Sequence, residues 1–405
     1  MAVGVLMQKI WLIYFKEFNI WQAYLIKNNN IMNLKISITP LKRIVGIDQL
    51  RYLFAFWVLI MHGGLLPFFE GNDGNNSINT INKIYGWSIN GEAAVIGFFI
   101  ISGLCIHYPN VARKKLQIIP FYVARIIRLC LPLVIYLFIS KMAGYSHNEG
   151  FLRVVPIWSL YCEIIYYLLY PLFFYITKAG RLNVFLCISV LFSITLMICL
   201  KDKRETKMYF HELEGKYDFF AWQAAIMALP CWLLGVYIAE RISLKDIIDK
   251  VLLLPNKLWL WRIGALFISS SIIPIYRIGL YYHFLSSTFL GLIFTSQFTT
   301  VFLFGIYAAF WIEQEVVWHN YGGVRSSSFL DKLGLATYSI YLIHTLVFWW
   351  LKKFESIIFI GYLANWIVMI LCVHVFALFF YQLVELPSQI IARRVFKSLT
   401  QFPAK

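Results

Sequence analysis

About ten long apolar segments, each of roughly twenty residues, divide this chain of 405 residues. Twenty apolar residues in a helix are about the length that crosses the hydrocarbon core of a bilayer. The longest connection, roughly residues 201–219, is charged and too short for a soluble domain. The pattern therefore predicts an all-α, polytopic membrane protein with one membrane domain. The predicted spans are approximately 49–69, 87–108, 120–140, 157–177, 183–200, 220–240, 258–276, 289–312, 335–351 and 357–382.

The composition agrees with membrane insertion and argues against a soluble fold. Apolar residues make up 60% of the chain and charged residues only 14%, whereas about a quarter of a soluble domain is charged. This excludes most soluble classes, intrinsic disorder and small disulfide-stapled secreted folds. The seven cysteines lie within or beside apolar segments without metal-ligand spacing. We therefore interpret them as buried small residues and expect no metal site.

The net charge of +16 would suggest nucleic-acid binding in a soluble protein. Here the basic residues lie in short loops between apolar segments, where they determine the orientation of a membrane protein. Placing both termini in the cytoplasm puts about two-thirds of the basic residues on the inner side. We therefore predict about ten transmembrane helices, both termini in the cytoplasm, and no nucleic-acid partner.

The chain divides into three predicted parts. Residues 1–44 are expected to form a cytoplasmic or interfacial extension, because their apolar positions recur at helical spacing around charged residues. A true start at Met32 is an equal alternative. Residues 45–385 form the ten-helix membrane domain, and residues 386–405 form a short basic cytoplasmic tail.

The first span contains ionisable residues, which are costly in a bilayer and by default suggest a functional site. Arg51 and His62 are eleven residues apart, so they share one helix face and lie roughly 16 Å apart along the axis. Asp48 precedes Arg51 by three residues and is able to pair with it. A snorkelling Arg51 and a packing His62 are the alternatives, but two such residues on one face favour a functional interpretation.

Polar residues also lie around the second and third spans. Ser102 and Gly103 end the second span, where small residues allow close helix packing. Arg125 and Arg128 lie one turn apart at the start of the third span. They act either as topology anchors or as a phosphate clamp, because guanidinium groups bind phosphate oxygens in pairs.

Later spans add a carboxylate and two histidines. Glu163 lies about two turns into an apolar segment that begins near Trp158 and Ser159. His344 lies near the middle of its span. We interpret His374, which is isolated in the tenth span, as a packing residue.

Together these residues form six motifs, in order, over roughly residues 45–388. The motifs are Ile47-Asp48-Gln49-Leu50-Arg51 with His62, Phe98-Phe99-Ile100-Ile101-Ser102-Gly103, Arg125-x-x-Arg128, Trp158-Ser159-Leu160-x-x-Glu163, Tyr341-Leu342-Ile343-His344 and Val384-Glu385-Leu386-Pro387. With these motifs the chain resembles the membrane acyltransferase-3 family, the bacterial O-acyltransferases that modify cell-surface glycans. Gln49 stands where the family usually has a small residue, Ile96 where many members have a polar one, and the N-terminal extension is not typical.

The resemblance implies acyl transfer from cytoplasmic acyl-CoA, most often acetyl-CoA, to a sugar hydroxyl at the bacterial cytoplasmic (inner) membrane. Acyl-CoA is then a donor substrate, and no permanently bound cofactor is expected. The acceptor is a glycan or a lipid-linked saccharide. Arg51, Arg125 and Arg128 are expected to gather at the cytoplasmic mouth and to bind the CoA phosphates.

Within this interpretation, His62 acts as the general base on the acceptor hydroxyl. Glu163 enters from the opposite side, orients the imidazole and stabilises its cation. Asp48 belongs to the catalytic group through its pairing with Arg51. The expected substrate-binding residues are Ser102, Trp158, Ser159 and His344.

A transporter is the main alternative, in which intramembrane Arg, His and Glu form a substrate or proton path. The sequence shows no internal repeat relating its halves, which argues against it. A non-catalytic membrane scaffold would not need Arg51 and His62 on one face.

Overall fold

The computed structural model of the chain is built from helices. It describes residues 44–63, 88–145, 157–199, 221–253, 256–282, 290–353 and 362–401, together with residues 80 and 86. These ranges contain no β-strand. The predicted N-terminal extension, apart from residue 44, and the charged connection at 201–219 lie outside the described residues.

The described part of each of the ten predicted spans contains helical structure. Short helices, α7 and α10, lie between some of them. The helices are α1 (Ile47–Gly63), α2 (Gly91–His107), α3 (Ile118–Met142), α4 (Ile157–Lys178), α5 (Leu182–Cys199), α6 (Ala221–Arg241), α7 (Lys245–Leu252), α8 (Leu258–Tyr281), α9 (Gly305–Asn320), α10 (Ser328–Leu335), α11 (Thr337–Lys352), α12 (Tyr362–Phe380) and α13 (Leu386–Gln401).

Within the described ranges, eight helices are long and apolar enough to cross a membrane, or nine when α10 and α11 are taken as one bent span. Helix α1 has 17 residues, slightly fewer than the about 20 that a straight span needs. The predicted first span continues beyond Gly63 into residues outside the described part. The chain is an all-α, polytopic membrane protein.

The eighth predicted span, at 289–312, is not a single α-helix. Two short turns, Leu290–Ile293 and Ser296–Phe298, precede a π-helical stretch at Thr299–Phe304, from which α9 continues. An apolar run of suitable length does not reveal such breaks, because hydropathy records composition and not backbone hydrogen bonding. Broken helices are tolerated at membrane depth where neighbouring protein buries them, and this stretch packs against α2, α6 and α8.

Helices α2 and α6 cross with almost no space between their backbones. A Cβ added to Gly103 would lie 2.0 Å from the carbonyl oxygen of Trp232, and one added to Gly235 would lie 2.0 Å from that of Ile100. Only glycine permits such an approach. The prediction that small residues at the end of the second span allow close helix packing is confirmed at Gly103.

Two glycines define where α1 begins. Gly46 has φ of +88°, a left-handed conformation that favours glycine. Gly334 of α10 lies against the first turn of α1, where an added Cβ would be 2.0 Å from the carbonyl oxygen of Asp48. A bend of 66° separates α10 from α11, and both helices pack against α1. The ionisable start of α1 is thereby held in place.

The predicted tail, residues 386–405, is helical over most of its length. Helix α13 follows α12 through a π-helical turn at Tyr381–Glu385 and packs against α3. The guanidinium carbon of Arg113 lies 6.0 Å from the ring centroid of Phe396 in α13. Pro387 does not prevent α13 from forming, because it is the second residue of this helix and proline is compatible with a first helical turn.

Candidate active site

Helix α1 carries an ionisable residue near each end, and other helices add polar groups at both positions. Near its start, Arg51 Nη1 lies 3.2 Å from Asp48 Oδ1, the contact that their spacing predicts. His62 lies eleven residues further on, about 16 Å along a straight helix. We call His62 and His344 the histidine pair. The arginine–glutamate cluster comprises Asp48, Arg51, Ser102, Arg125, Glu163 and Tyr167.

Glu163, in the second turn of α4, accepts two hydrogen bonds on one carboxylate oxygen. Ser102 Oγ donates to Glu163 Oε1 at 2.8 Å, and the Tyr167 hydroxyl donates to the same oxygen. Trp232 Nε1, on α6, donates to Ser102 Oγ at 3.3 Å. These donors from α2, α4 and α6 form a connected network, which fixes the orientation of the carboxylate.

Two arginines lie close enough to Glu163 to interact with it electrostatically. They are Arg51 on α1 and Arg125 on α3, and both also interact with Tyr167. The guanidinium carbon of Arg125 lies 5.8 Å from the Tyr167 ring centroid, a cation–π arrangement. Together with Asp48, the cluster sets two positive charges against two carboxylates, which makes ionised groups tolerable inside a helical membrane domain.

Arg128 differs from Arg125 in its surroundings. Its side chain is exposed, whereas that of Arg125 is partly buried. It interacts electrostatically with Glu385, at the junction of α12 and α13. Residues three apart on a helix point about 300° apart around the axis, so the two arginines face neighbouring directions. The sequence predicted one shared role for them, and the structure gives them different environments.

Glu385 anchors the start of α11. Its Oε2 accepts hydrogen bonds from Ser339 N at 3.1 Å and from Ser339 Oγ at 2.6 Å, and its Oε1 accepts one from Gln389 Nε2 at 3.0 Å. The N–H groups in the first turn of a helix lack partners within the helix. Glu385 supplies a partner for the N–H of Ser339. It thereby holds the beginning of α11, the helix that carries His344.

The histidine pair brings α1 and α11 together. The ring centroids of His62 and His344 are 5.1 Å apart, with 42° between the ring planes. His344 Nδ1 lies 2.8 Å from the carbonyl oxygen of Tyr341 and 3.2 Å from that of Ile340. Carbonyl oxygens only accept, so Nδ1 carries the hydrogen and Nε2 presents a lone pair.

A layer of further buried side chains contacts the histidine pair through Tyr341, whose ring centroid lies 6.0 Å from that of His344. Ser159 Oγ and the Tyr341 hydroxyl are 2.5 Å apart, and the Phe98 and Tyr341 ring centroids are 6.0 Å apart. Trp158 packs edge-on against Phe99 at 6.3 Å. The four residues predicted to bind substrate are therefore divided: Ser102 lies in the cluster, His344 in the pair, and Trp158 and Ser159 in the buried layer.

Glu163 does not make the contact that the sequence predicted for it. It was expected to orient the His62 ring, but its hydrogen bonds go to Ser102 and Tyr167. His62 is next to the last residue of α1, whereas Glu163 lies six residues inside α4, about 9 Å from the helix start. The carboxylate therefore belongs with the arginines. A catalytic role for Glu163 stays a prediction.

Two further residues, Tyr167 in the cluster and Trp232 in contact with it, were not identified from the sequence. Tyr167 follows Glu163 by four residues, one helical turn, and that spacing was the available signal. Trp232 is distant in sequence and reaches Ser102 only because α6 packs tightly on α2. Nothing in the local sequence indicates this contact.

Across the described ranges, no group of three or more His, Cys, Asp or Glu side chains is placed to hold a metal ion. Arginine is the residue type here that suits an anionic ligand, because its guanidinium binds phosphate oxygens in pairs. Arg125 and Arg128 are thus the candidate groups for a phosphorylated donor.

A family model described as an acyltransferase domain matches residues 44–386. No curated protein and no solved structure is significantly similar to the chain. The matched range contains the arginine–glutamate cluster, the histidine pair and Glu385, and it nearly coincides with the range of the six motifs. The chain belongs to the acyltransferase-3 family.

Proposed function

We propose that this membrane acyltransferase transfers an acyl group, expected to be acetyl, from cytoplasmic acyl-CoA to a hydroxyl of a cell-surface or exported glycan. The family match supports the acyltransferase activity. The donor, the acceptor and the location in a bacterial inner membrane are proposals. One observation carries the assignment of roles: arginines gather around Glu163 near one end of α1, whereas two imidazoles meet near the other.

The donor binds at the arginine side. CoA carries several phosphates, and Arg125 and Arg128 on α3 offer guanidinium groups to them. Arg51 lies further along the same route, held by Asp48. Asp48 contributes by fixing the direction of the Arg51 guanidinium. The acyl-CoA acts as a substrate that enters and leaves, not as a resident cofactor.

The acceptor hydroxyl is activated by His62. As the hydroxyl oxygen attacks the thioester carbonyl carbon, its proton passes to an imidazole nitrogen of His62. The tetrahedral intermediate collapses, the carbon–sulfur bond breaks, and the CoA thiolate leaves and takes the proton from the His62 imidazolium. The products are the O-acyl glycan and free CoA, and His62 returns to its neutral form.

This route requires the arginine side to face the cytoplasm. Both termini would then be cytoplasmic, as the distribution of basic residues indicates. Reporter fusions at Lys405 and near Asn75 test the orientation. A reporter at Lys405 that is active only outside the cytoplasm would contradict it.

The experiment that tests the function is NMR of the surface glycan for O-acetyl signals. A deletion strain should lose these signals, the wild-type gene should restore them, and His62→Ala at equal membrane levels should not. Solute uptake without any change in glycan acylation would instead favour a transporter.

A further inference from the structure

His344 contains a buried hydrogen-bond acceptor without a donor. The residue is 1% exposed, and its Nδ1–H points to the carbonyl oxygens of Tyr341 and Ile340. Its Nε2 has no hydrogen-bond partner among the described residues. A buried acceptor left in this state is unfavourable, so a group that supplies a donor is expected close by.

His374 shows how the same local arrangement is completed elsewhere in the fold. Its Nδ1 lies 2.7 Å from the carbonyl oxygen of Ile370, just as His344 Nδ1 faces carbonyls of its own helix. Its Nε2, however, lies 2.9 Å from the Tyr52 hydroxyl. The two histidines thus share a tautomer, and only His374 has a described partner on the second nitrogen.

The surroundings of His344 leave few sources for that donor. The ring centroids of Tyr341 and Phe348 lie 6.0 and 6.2 Å from that of His344. The Tyr341 hydroxyl is already 2.5 Å from Ser159 Oγ, and the phenylalanine has no polar hydrogen. The third ring that contacts His344 within the described part of the chain is the imidazole of His62, with ring centroids 5.1 Å apart.

We propose that His344 is the positioning residue of His62: during transfer its Nε2 accepts a hydrogen bond from the His62 ring, a bond that the resting structure does not make, and stabilises the imidazolium. A neutral His62 has one N–H. With that N–H on the side of His344, the other nitrogen is the one that takes the proton of the acceptor hydroxyl. Once His62 is an imidazolium, its N–H forms a charge-assisted hydrogen bond to His344 Nε2, which is stronger than a neutral one. His344 itself neither gains nor loses a proton.

This inference rests on the proposed function and replaces Glu163 in the orienting role. Glu163 is engaged with Ser102 and Tyr167 and lies close to two arginines. A carboxylate next to His62 would favour the imidazolium before the reaction as well as during it. A neutral imidazole is a weaker acceptor than a carboxylate, and it stabilises His62 most when His62 is charged.

The test is a double-mutant cycle on the purified full-length protein with radiolabelled acetyl-CoA and the native glycan. The four forms are the wild type, His62→Ala, His344→Ala and the double variant, with His344→Gln added because its amide oxygen still accepts a hydrogen bond. His374→Ala is the matched control, since it removes the corresponding imidazole away from the pair. Membrane levels and thermal unfolding of each variant measure folding.

We expect His344→Ala to lower kcat roughly 10- to 100-fold with little change in the donor KM, because a charge-assisted hydrogen bond is lost. His344→Gln should keep more activity, and His374→Ala should stay within about twofold of wild type. The double variant should be no slower than His62→Ala, because His344 acts only through His62.

Three results would overturn the inference while leaving the acyltransferase function intact: near wild-type kcat in His344→Ala, additive losses in the double variant, or equal activity of the alanine and glutamine variants. If the wild-type protein itself transfers no acetyl group to any glycan, the proposed function fails, and the inference fails with it.

Discussion

The ionisable groups near the two ends of α1 differ in how fully their polar atoms are paired. At the arginine–glutamate cluster, Arg51 is paired with Asp48, and Glu163 is held by two hydroxyl donors. At the histidine pair, His344 is more deeply buried than Arg51, yet one of its nitrogens has no described partner. Among the described residues, no fully buried polar atom of the cluster lacks a hydrogen-bond partner, whereas Nε2 of His344 does.

In the proposed mechanism, this difference assigns donor binding to the cluster and proton transfer to the pair. A satisfied network costs little to maintain and presents a fixed set of charges, which suits recognition of a phosphorylated donor. An unsatisfied acceptor next to a second imidazole gains a partner only when a proton arrives. It therefore favours a state that exists during the reaction over the resting state.

The comparison predicts that the largest catalytic effect comes from the histidine pair. His62→Ala should lower kcat by about 10²–10⁴, the usual contribution of a general base, and leave the donor KM nearly unchanged. Single-turnover assays with saturating acetyl-CoA measure the chemical step. Transfer at near wild-type rate by correctly folded His62→Ala protein would remove the pair from the mechanism and leave the cluster as the catalytic site.

The cluster should respond to charge removal with a loss of stability. Glu163→Gln removes the carboxylate charge near Arg51 and Arg125 and the charged acceptor of Ser102 and Tyr167, and a hydrogen bond to a charged group is worth about 1.5–3 kcal/mol. Tyr167→Phe is the matched control, since it removes one neutral donor and should cost about 1 kcal/mol. Thermal unfolding in detergent compares the two. Equal melting temperatures would show that the carboxylate charge is not what stabilises the cluster.

The two arginines of α3 should separate on kinetics. Arg125→Ala removes a partly buried charge beside Tyr167, so both donor KM and protein stability should worsen. Arg128→Ala removes an exposed charge and should raise the donor KM about 3- to 10-fold, as expected for one lost charge-assisted contact. Initial rates over a range of acetyl-CoA concentrations give both values. An unchanged donor KM in each variant would assign these arginines to membrane orientation alone.

The smallest effect on kcat is expected from a substitution in the buried layer that contains Ser159 and Tyr341. Ser159→Ala removes the contact with the Tyr341 hydroxyl and should cost about 0.5–1.5 kcal/mol of stability. Its kcat should stay within a few-fold of wild type. If kcat falls as far as in His62→Ala, Ser159 contacts the reacting groups and the layer is not a passive spacer.

Much of the fold was predictable because apolar run length is a local property. All ten predicted spans contain helix in their described part, and the Asp48–Arg51 contact follows from a three-residue spacing. The broken eighth span and the helical C-terminal segment were not predicted, because hydropathy does not record π-turns or packing against α3.

The sequence identified many residues of the candidate site but not which of them contact one another. His62 and His344 were both identified, but their contact joins positions 282 residues apart, and no local pattern encodes it. The same holds for Trp232 and Ser102. Glu163, which was predicted to contact His62, contacts Ser102 and Tyr167 instead, because the depth of a residue along its helix does not give the direction of its side chain.

The glycine crossing of α2 and α6 limits how the protein is able to move. Ser102 is adjacent to Gly103, whose α-carbon rests directly on the backbone of α6. Neither helix is able to slide or rotate at that point without a steric clash, so one wall of the arginine–glutamate cluster is mechanically fixed. If the donor binds at this cluster as proposed, the opening that admits it is expected to come from the other helices that carry its members, α1, α3 and α4. Helix α1 carries both Arg51 and His62, so a displacement that moves Arg51 also moves His62, and the two proposed functions are coupled through one helix.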